Sequence, residues 1–195
     1  PGIKIEKGYK AYEEGLAQKL FVTYPNGKEY IGHVWPGRCH FPDFTKETTL
    51  KWWGNSFKDA YVNNGIKGFW NDMNEPAVME VPGKTFPMDV RHDYDGNPCS
   101  HRKAHNIYGT QMARATYEGV KQFAYPKRPF IITRSAYSGA QRYSSSWTGD
   151  NVASWEHLWI ANIQMQRMSI SGMGFTGSDI GGFAEQPSGE LYARW

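Results

Sequence analysis

The chain has 195 residues, 39% of them apolar and 21% charged, a composition of folded globular proteins rather than disordered ones. One domain with a sizeable core suits that length, and two would be cramped. Its 22 Lys and Arg against 19 Asp and Glu leave a net charge of +3, too small and too scattered to point to nucleic acid or a membrane surface.

No run approaches the ~18 apolar residues of a spanning helix, so the chain is expected to be soluble. Nothing at its start resembles a signal peptide, and Pro1-Gly2-Ile3-Lys4 reads as a chain entered in mid-loop. Cys39 and Cys99 could pair or stay free, which leaves the compartment open. Aromatics reach 15%, with 8 Trp and 12 Tyr. Such rings fill cores, and they also make flat platforms for the apolar faces of sugars.

In chain order, 20–24 (Leu-Phe-Val-Thr-Tyr) reads as a strand and 30–34 as a short extended piece. Residues 45–63 read as one helix stopped by Asn64-Gly65, and 66–71 as a compact buried strand. A polar loop is expected over 75–102. A helix then spans 105–124, where Tyr108, Met112, Ala115, Gly119 and Phe123 share one stripe. Residues 129–133 read as a buried strand, 154–169 as a helix and 172–176 as a last strand. Helices between short apolar strands imply βαβ units in a parallel sheet.

Two architectures with parallel sheets compete, the open doubly wound sheet and the closed (β/α)8 TIM barrel. Asp72, Arg134 and Asp179 each stand just beyond the C-terminal end of an expected strand. Barrel enzymes gather their reactive groups at that rim. A full barrel takes ~250 residues, so residues 1–195 are expected to form part of a single catalytic barrel, incomplete in itself.

Two segments carry chemistry. The first, 68–76, sets Asp72 beside Trp70 and two amides, with Glu75 three residues on. Glycoside hydrolysis needs two carboxyl groups flanking the bond. Asp72 and Glu75 are both candidates, and either could instead cap a turn before Pro76. The second, Trp147-Thr148-Gly149-Asp150-Asn151, again sets an acid beside an indole, on a loop between strand and helix. Asp150 could equally serve as the N-cap of that helix.

The block 70–76 (Trp-Asn-Asp-Met-Asn-Glu-Pro), Arg134 with 147–151, and 177–183 (Gly-Ser-Asp-Ile-Gly-Gly-Phe) together resemble the successive signature blocks of glycoside hydrolase family 31. The resemblance covers nearly the whole chain. It implies a (β/α)8 catalytic barrel acting on α-linked sugars with retention, without metal or organic cofactor. Carried over residue by residue, Asp72 resembles the nucleophile and Asp150 the acid/base. Arg134 and Asp179 resemble polar groups of the sugar subsite, and Trp35, Trp70, Met73, Trp147 and Phe183 its walls. Glu75 then becomes a supporting residue. The family pattern also places an acid before Pro1 and a pocket histidine on later strands.

The implied reaction is release of terminal α-linked glucose from an oligosaccharide, the α-glucoside being the one partner expected. The alternatives are an α-xylosidase, an α-transglucosylase, or a carbohydrate-binding module without catalysis. A binding module has no need of acids at both 72 and 150. Gly172, Gly174 and Gly177 match the dinucleotide fingerprint in spacing, but no helix is expected directly after them. His92, Cys99, His101 and His105 fit no closed zinc pattern, and read as a loop entering a helix.

Overall fold

A computed structural model describes residues 2–195; Pro1, where the chain is read as entering in mid-loop, lies outside them. The N-terminal third builds a small antiparallel sheet from β1 (Ile3–Lys4), β2 (Gly32–Val34) and β3 (Gly37–His40), with β3 in the middle. Helix α1 (Lys10–Ala17) precedes β2, and α2 (Glu47–Asn55) and α3 (Lys58–Val62) follow β3. Then come β4 (Gly68–Asn71), the pair β5 (Arg91–His92) and β6 (Cys99–Ser100), and the long α4 (His101–Ala124). Strands β7 (Phe130–Thr133), β8 (Ser145–Trp147) and β9 (Thr176–Gly177) complete the main sheet, with α5 (Trp155–Ile170) between β8 and β9 and α6 (Gly189–Arg194) at the end.

That sheet runs β4-β7-β8-β9, with every neighbour parallel. Spatial order follows chain order without reversal, as in barrel strands; a doubly wound sheet has a point where the order turns back. All four C-terminal ends therefore face one way, and whatever follows each strand meets at a common rim.

Several expectations are corrected. The 45–63 helix is two helices, because the Ser56 hydroxyl donates to the Trp53 carbonyl at 2.6 Å and the chain turns Phe57 into a cluster with Tyr61, Phe69 and Phe123. Residues 20–24 make isolated bridges from Phe21 and Thr23, with no strand of their own. Strand β4 is not buried; Trp70 is 62% exposed, since among the described residues β4 is the sheet's edge and pairs only with β7. The last strand is Thr176–Gly177, shorter and later than 172–176. The stretch 75–102 is no solvent loop, for Val78, Phe86 and Val90 enter the main core beside Tyr108 and Phe41.

Helix α4 starts at His101 and crosses α2 at close range. A Cβ on Gly54 would lie 2.8 Å from the Gly119 Cα and 2.9 Å from the Ala115 carbonyl oxygen. Trp53 Nε1 donates to Thr116 Oγ1 at 2.9 Å across the same crossing. The expected stripe holds, with Tyr108, Met112 and Ala115 in the core. Two residues past the helix stands Pro126, which cannot continue it. Among the described residues no helix is long and apolar enough to cross a membrane.

Candidate active site

In the parallel register Asn71 sits opposite Thr133, so the next residues, Asp72 and Arg134, emerge side by side. The Arg134 N–H donates to the Asn71 carbonyl at 3.1 Å, carrying the pairing one residue past the strands. Strand β8 ends at Trp147 with Asp150 three residues on, and β9 ends at Gly177 with Asp179 two residues on. Strand β8 itself was not expected, Ser145-Ser146 being too polar to read as a buried strand. Its short, parallel pairing is what brings Asp150 to the rim.

Arg134 organises the acids. Its Nε and Nη2 donate to Glu75 Oε1 and Oε2 at 2.9 and 3.1 Å, a two-pronged fork. The remaining nitrogen, Nη1, lies 3.0 Å from Asp72 Oδ1 and 3.5 Å from Asp150 Oδ2. Burial works against the Arg134 charge, but the bonds and charge of Glu75 and the charges of Asp72 and Asp150 outweigh it, raising the guanidinium above its ordinary pKa. The Asp72 contact is one of charge rather than an aligned hydrogen bond. Its Oδ1 is buried with no aligned donor among the described residues.

These groups line a cleft of about 580 Å³. Of the residues read from sequence, Trp35, Trp70, Asp72, Met73, Arg134, Trp147, Asp150, Asp179 and Phe183 all border it. Glu75 does not, and instead stands behind Arg134. Trp70 and Trp147 meet edge to face at 5.4 Å. Trp35 is 81% and Phe183 64% exposed, so these two form an open rim. Asp179 is held above its ordinary pKa by burial first, then by the charges of Asp150 and Asp72.

Asp150 caps nothing. The N-cap of α5 is Ser154, whose hydroxyl accepts from the His157 N–H at 3.1 Å. Gly149, at φ 86°, makes the turn that presents Asp150, and the Asn151 carbonyl accepts from the Phe183 N–H at 2.6 Å, fastening the Asp150 loop to the β9 loop. The sequence reading missed one wall, formed by Val78, Met79 and Lys84. Lys84 Nζ donates to the Met79 carbonyl at 2.7 Å and closes that turn. The apolar run Ala77-Val78-Met79 inside the supposed polar loop was the available signal.

Of the cluster at His92, Cys99, His101 and His105, His92 and His101 form a buried hydrogen-bonded chain. His92 Nδ1 donates to Asp43 Oδ1 at 3.1 Å, His92 Nε2 faces His101 Nδ1 at 3.0 Å, and His101 Nε2 faces Thr85 Oγ1 at 3.3 Å. All four ring nitrogens of His92 and His101 thus have partners, in Asp43, each other and Thr85. Among the described residues no group of three or more His, Cys, Asp or Glu is placed to hold a metal ion.

Comparison with known proteins agrees with this geometry. The model of the glycosyl hydrolases family 31 TIM-barrel domain matches residues 1–195. The chain is 47% identical over 195 residues to alpha-glucosidase 2 of Bacillus thermoamyloliquefaciens, covering 100% of this chain and 24% of that protein. It is 41% identical over 198 residues to neutral alpha-glucosidase AB of Homo sapiens, covering 100% and 21%. The crystal structure of a glucosidase II alpha subunit, described as alpha3-Glc2-bound, superposes with a TM-score of 0.92 at 34% identity, covering 100% of this chain and 21% of that one. The chain thus spans about a fifth to a quarter of these relatives, and its sheet is a run of successive strands of a larger barrel. It belongs to glycosyl hydrolase family 31, as a stretch of that family's TIM-barrel domain.

Proposed function

We propose that residues 1–195 are part of one catalytic barrel of a retaining, exo-acting α-glucosidase that releases terminal α-linked glucose from oligosaccharides. Asp72 is the nucleophile and Asp150 the acid/base. One observation carries this reading: both carboxylates lean on the same nitrogen of Arg134. With Nη1 3.0 Å from one oxygen and 3.5 Å from the other, those oxygens are at most about 6.5 Å apart. Direct attack needs ~5–5.5 Å between carboxyl groups, while a mechanism with water between them needs ~6.5–9.5 Å. That bound on one oxygen pair is compatible with the covalent route.

In the first step an Asp72 oxygen bonds to the anomeric carbon as the glycosidic C–O bond breaks, and Asp150 gives its proton to the leaving oxygen. In the second, Asp150 takes a proton from water, whose oxygen bonds to the same carbon and releases the Asp72 carboxylate. Arg134 places a positive charge 3.0 Å from the Oδ1 of the nucleophile. Asp179, bordering the same cleft, accepts from sugar hydroxyls, and a buried polar contact of that kind rejects sugars lacking the hydroxyl. Trp70, Trp147 and Met73 wall the sugar, with Trp35 and Phe183 at the open rim. The names of the three relatives given above, two α-glucosidases and a glucosidase subunit, support glucose as the sugar.

The test is kcat/KM of the whole enzyme on aryl α-glucoside, α-xyloside and β-glucoside side by side. A clear preference for the α-glucoside is expected. Preference for either of the others removes the substrate assignment.

A further inference from the structure

Asn74 has no part in the reaction scheme, yet it is fully buried and its amide is fully committed. Its Oδ1 accepts from the Ser135 N–H at 2.9 Å. Its Nδ2 donates to Thr133 Oγ1 at 2.7 Å and to the Gly109 carbonyl at 3.4 Å. Thr133 ends β7, Ser135 directly follows Arg134, and Gly109 lies within α4. One side chain thus ties the loop carrying Asp72 to the loop carrying Arg134, and both to the helix beneath. The joint is tight. A Cβ on Gly109 would lie 2.5 Å from the Ser135 carbonyl oxygen and 2.7 Å from that of Asn74.

Met73, between Asp72 and Asn74, has φ 55°. That left-handed conformation is unfavourable for a non-glycine residue, and it persists only where the surroundings fix it. On one side the β4–β7 pairing fixes it. On the other, Asn74 does.

We propose that Asn74 is a positioning residue for the reaction. Its amide holds the Met73 turn and the register between Asp72 and Arg134, so that carboxylate and guanidinium face the sugar in one arrangement. The site asks for an acceptor and a donor at once, which an amide supplies and a carboxylate does not. An acid here would also add negative charge next to Asp72 and Glu75. This inference rests on the glycosidase reading above.

The test measures kcat and KM of the whole enzyme on an aryl α-glucoside, well below each variant's melting midpoint so that the folded fraction is complete. Asn74→Ala is expected to lower kcat about 10²-fold with KM within about threefold, since a shift near 1 Å at the reacting groups costs that much while the pocket still binds. Thr133→Val, which keeps the shape but removes the Oγ1 that accepts from Asn74 Nδ2 and donates to the Ser135 carbonyl at 3.3 Å, is expected to lower kcat about tenfold. Gly109→Ala, which wedges the same joint apart by crowding the Ser135 and Asn74 carbonyl oxygens while deleting no hydrogen-bonding group, is expected to lower kcat with KM retained. An Asn74→Ala enzyme with kcat within about threefold of wild type overturns the proposal, as does a rise in KM that accounts for the whole loss in kcat/KM. An active wild type with an active Asn74→Ala variant removes this inference alone. A wild type inert on every glycoside removes both readings.

Discussion

Arg134 is one cation among three carboxylates, and its five N–H donors are allotted unequally. Two nitrogens go to Glu75, which borders no substrate space, and one is shared by Asp72 and Asp150. Glu75 is thus what aims the guanidinium. Glu75→Gln keeps one prong of the fork and loses the charge, so kcat/KM is expected to fall about ten- to a hundredfold, the worth of ~1.5–3 kcal/mol for a charge-assisted bond. Steady-state kinetics on an aryl α-glucoside checks this, and an unchanged kcat/KM would contradict it. Sequence could name Asp72, Asp150 and Arg134 because each falls in a signature block at a strand end. It could not rank Asp72 over Glu75 by spacing, because both follow β4 within four residues. The side-chain directions separate them, and those depend on the left-handed Met73, which no residue type announces.

Among the elements, α4 is the support on which the rim rests, and two features of it can be tested separately. At its crossing with α2 the two backbones touch through Gly54 and Gly119. Gly119→Ala is expected to destabilise the whole protein by ~1–3 kcal/mol through overpacking, read as a lower melting midpoint at unchanged KM. At its N-terminus, His101 is buried with its pKa pushed down to about 3, by burial first and then by the charges of His92 and His105. The unfolded chain takes that proton near pH 6.5 and the folded one does not. Stability is therefore expected to fall as pH drops from about 6.5 toward 3, at up to ~1.4 kcal/mol per pH unit. Asp43, held below its ordinary pKa against its own burial by the His92 hydrogen bond and charge, adds to the loss only at the acid end. Denaturant melts at pH 7 and pH 5 check this, and His101→Gln should flatten the difference. The helix was legible from its apolar stripe. Its first turn was not, because His101 and Ala104 are buried by the 75–100 segment, a tertiary packing that local polarity conceals. Strand β8 escaped for a similar reason: Ser145 and Ser146 extend only because β7 and β9 pair with them.

On the scale of the whole chain, the parallel sheet has one covered face. Helix α4 packs against β4 and β7, while Trp70, Phe130, Phe175 and Ile180 stand 62%, 49%, 72% and 66% exposed. Most of α5 is equally open, Trp159 at 66% and Ile170 at 88%. Asn71 is buried with neither amide atom bonded among the described residues, a cost of ~1–3 kcal/mol. So much apolar surface beside an unpaired strand edge is a surface for association. Residues 1–195 expressed alone are expected to melt without a cooperative transition and to aggregate. A reversible, cooperative melt would contradict that. The barrel class was readable from strand-end chemistry, and the strand order 4-7-8-9 carries it further than the apolar pattern alone could.

The proposed reaction turns on a covalent bond at Asp72. The whole enzyme would be incubated with a fluorinated α-glucosyl fluoride, which forms the glycosyl-enzyme readily and releases it slowly, and its peptides then weighed. A mass increase of one fluoroglucosyl group on the peptide holding Asp72, absent in Asp72→Asn, is the predicted result. Label on another carboxylate, or an Asp72→Asn enzyme turning over at near-native rate, would contradict it.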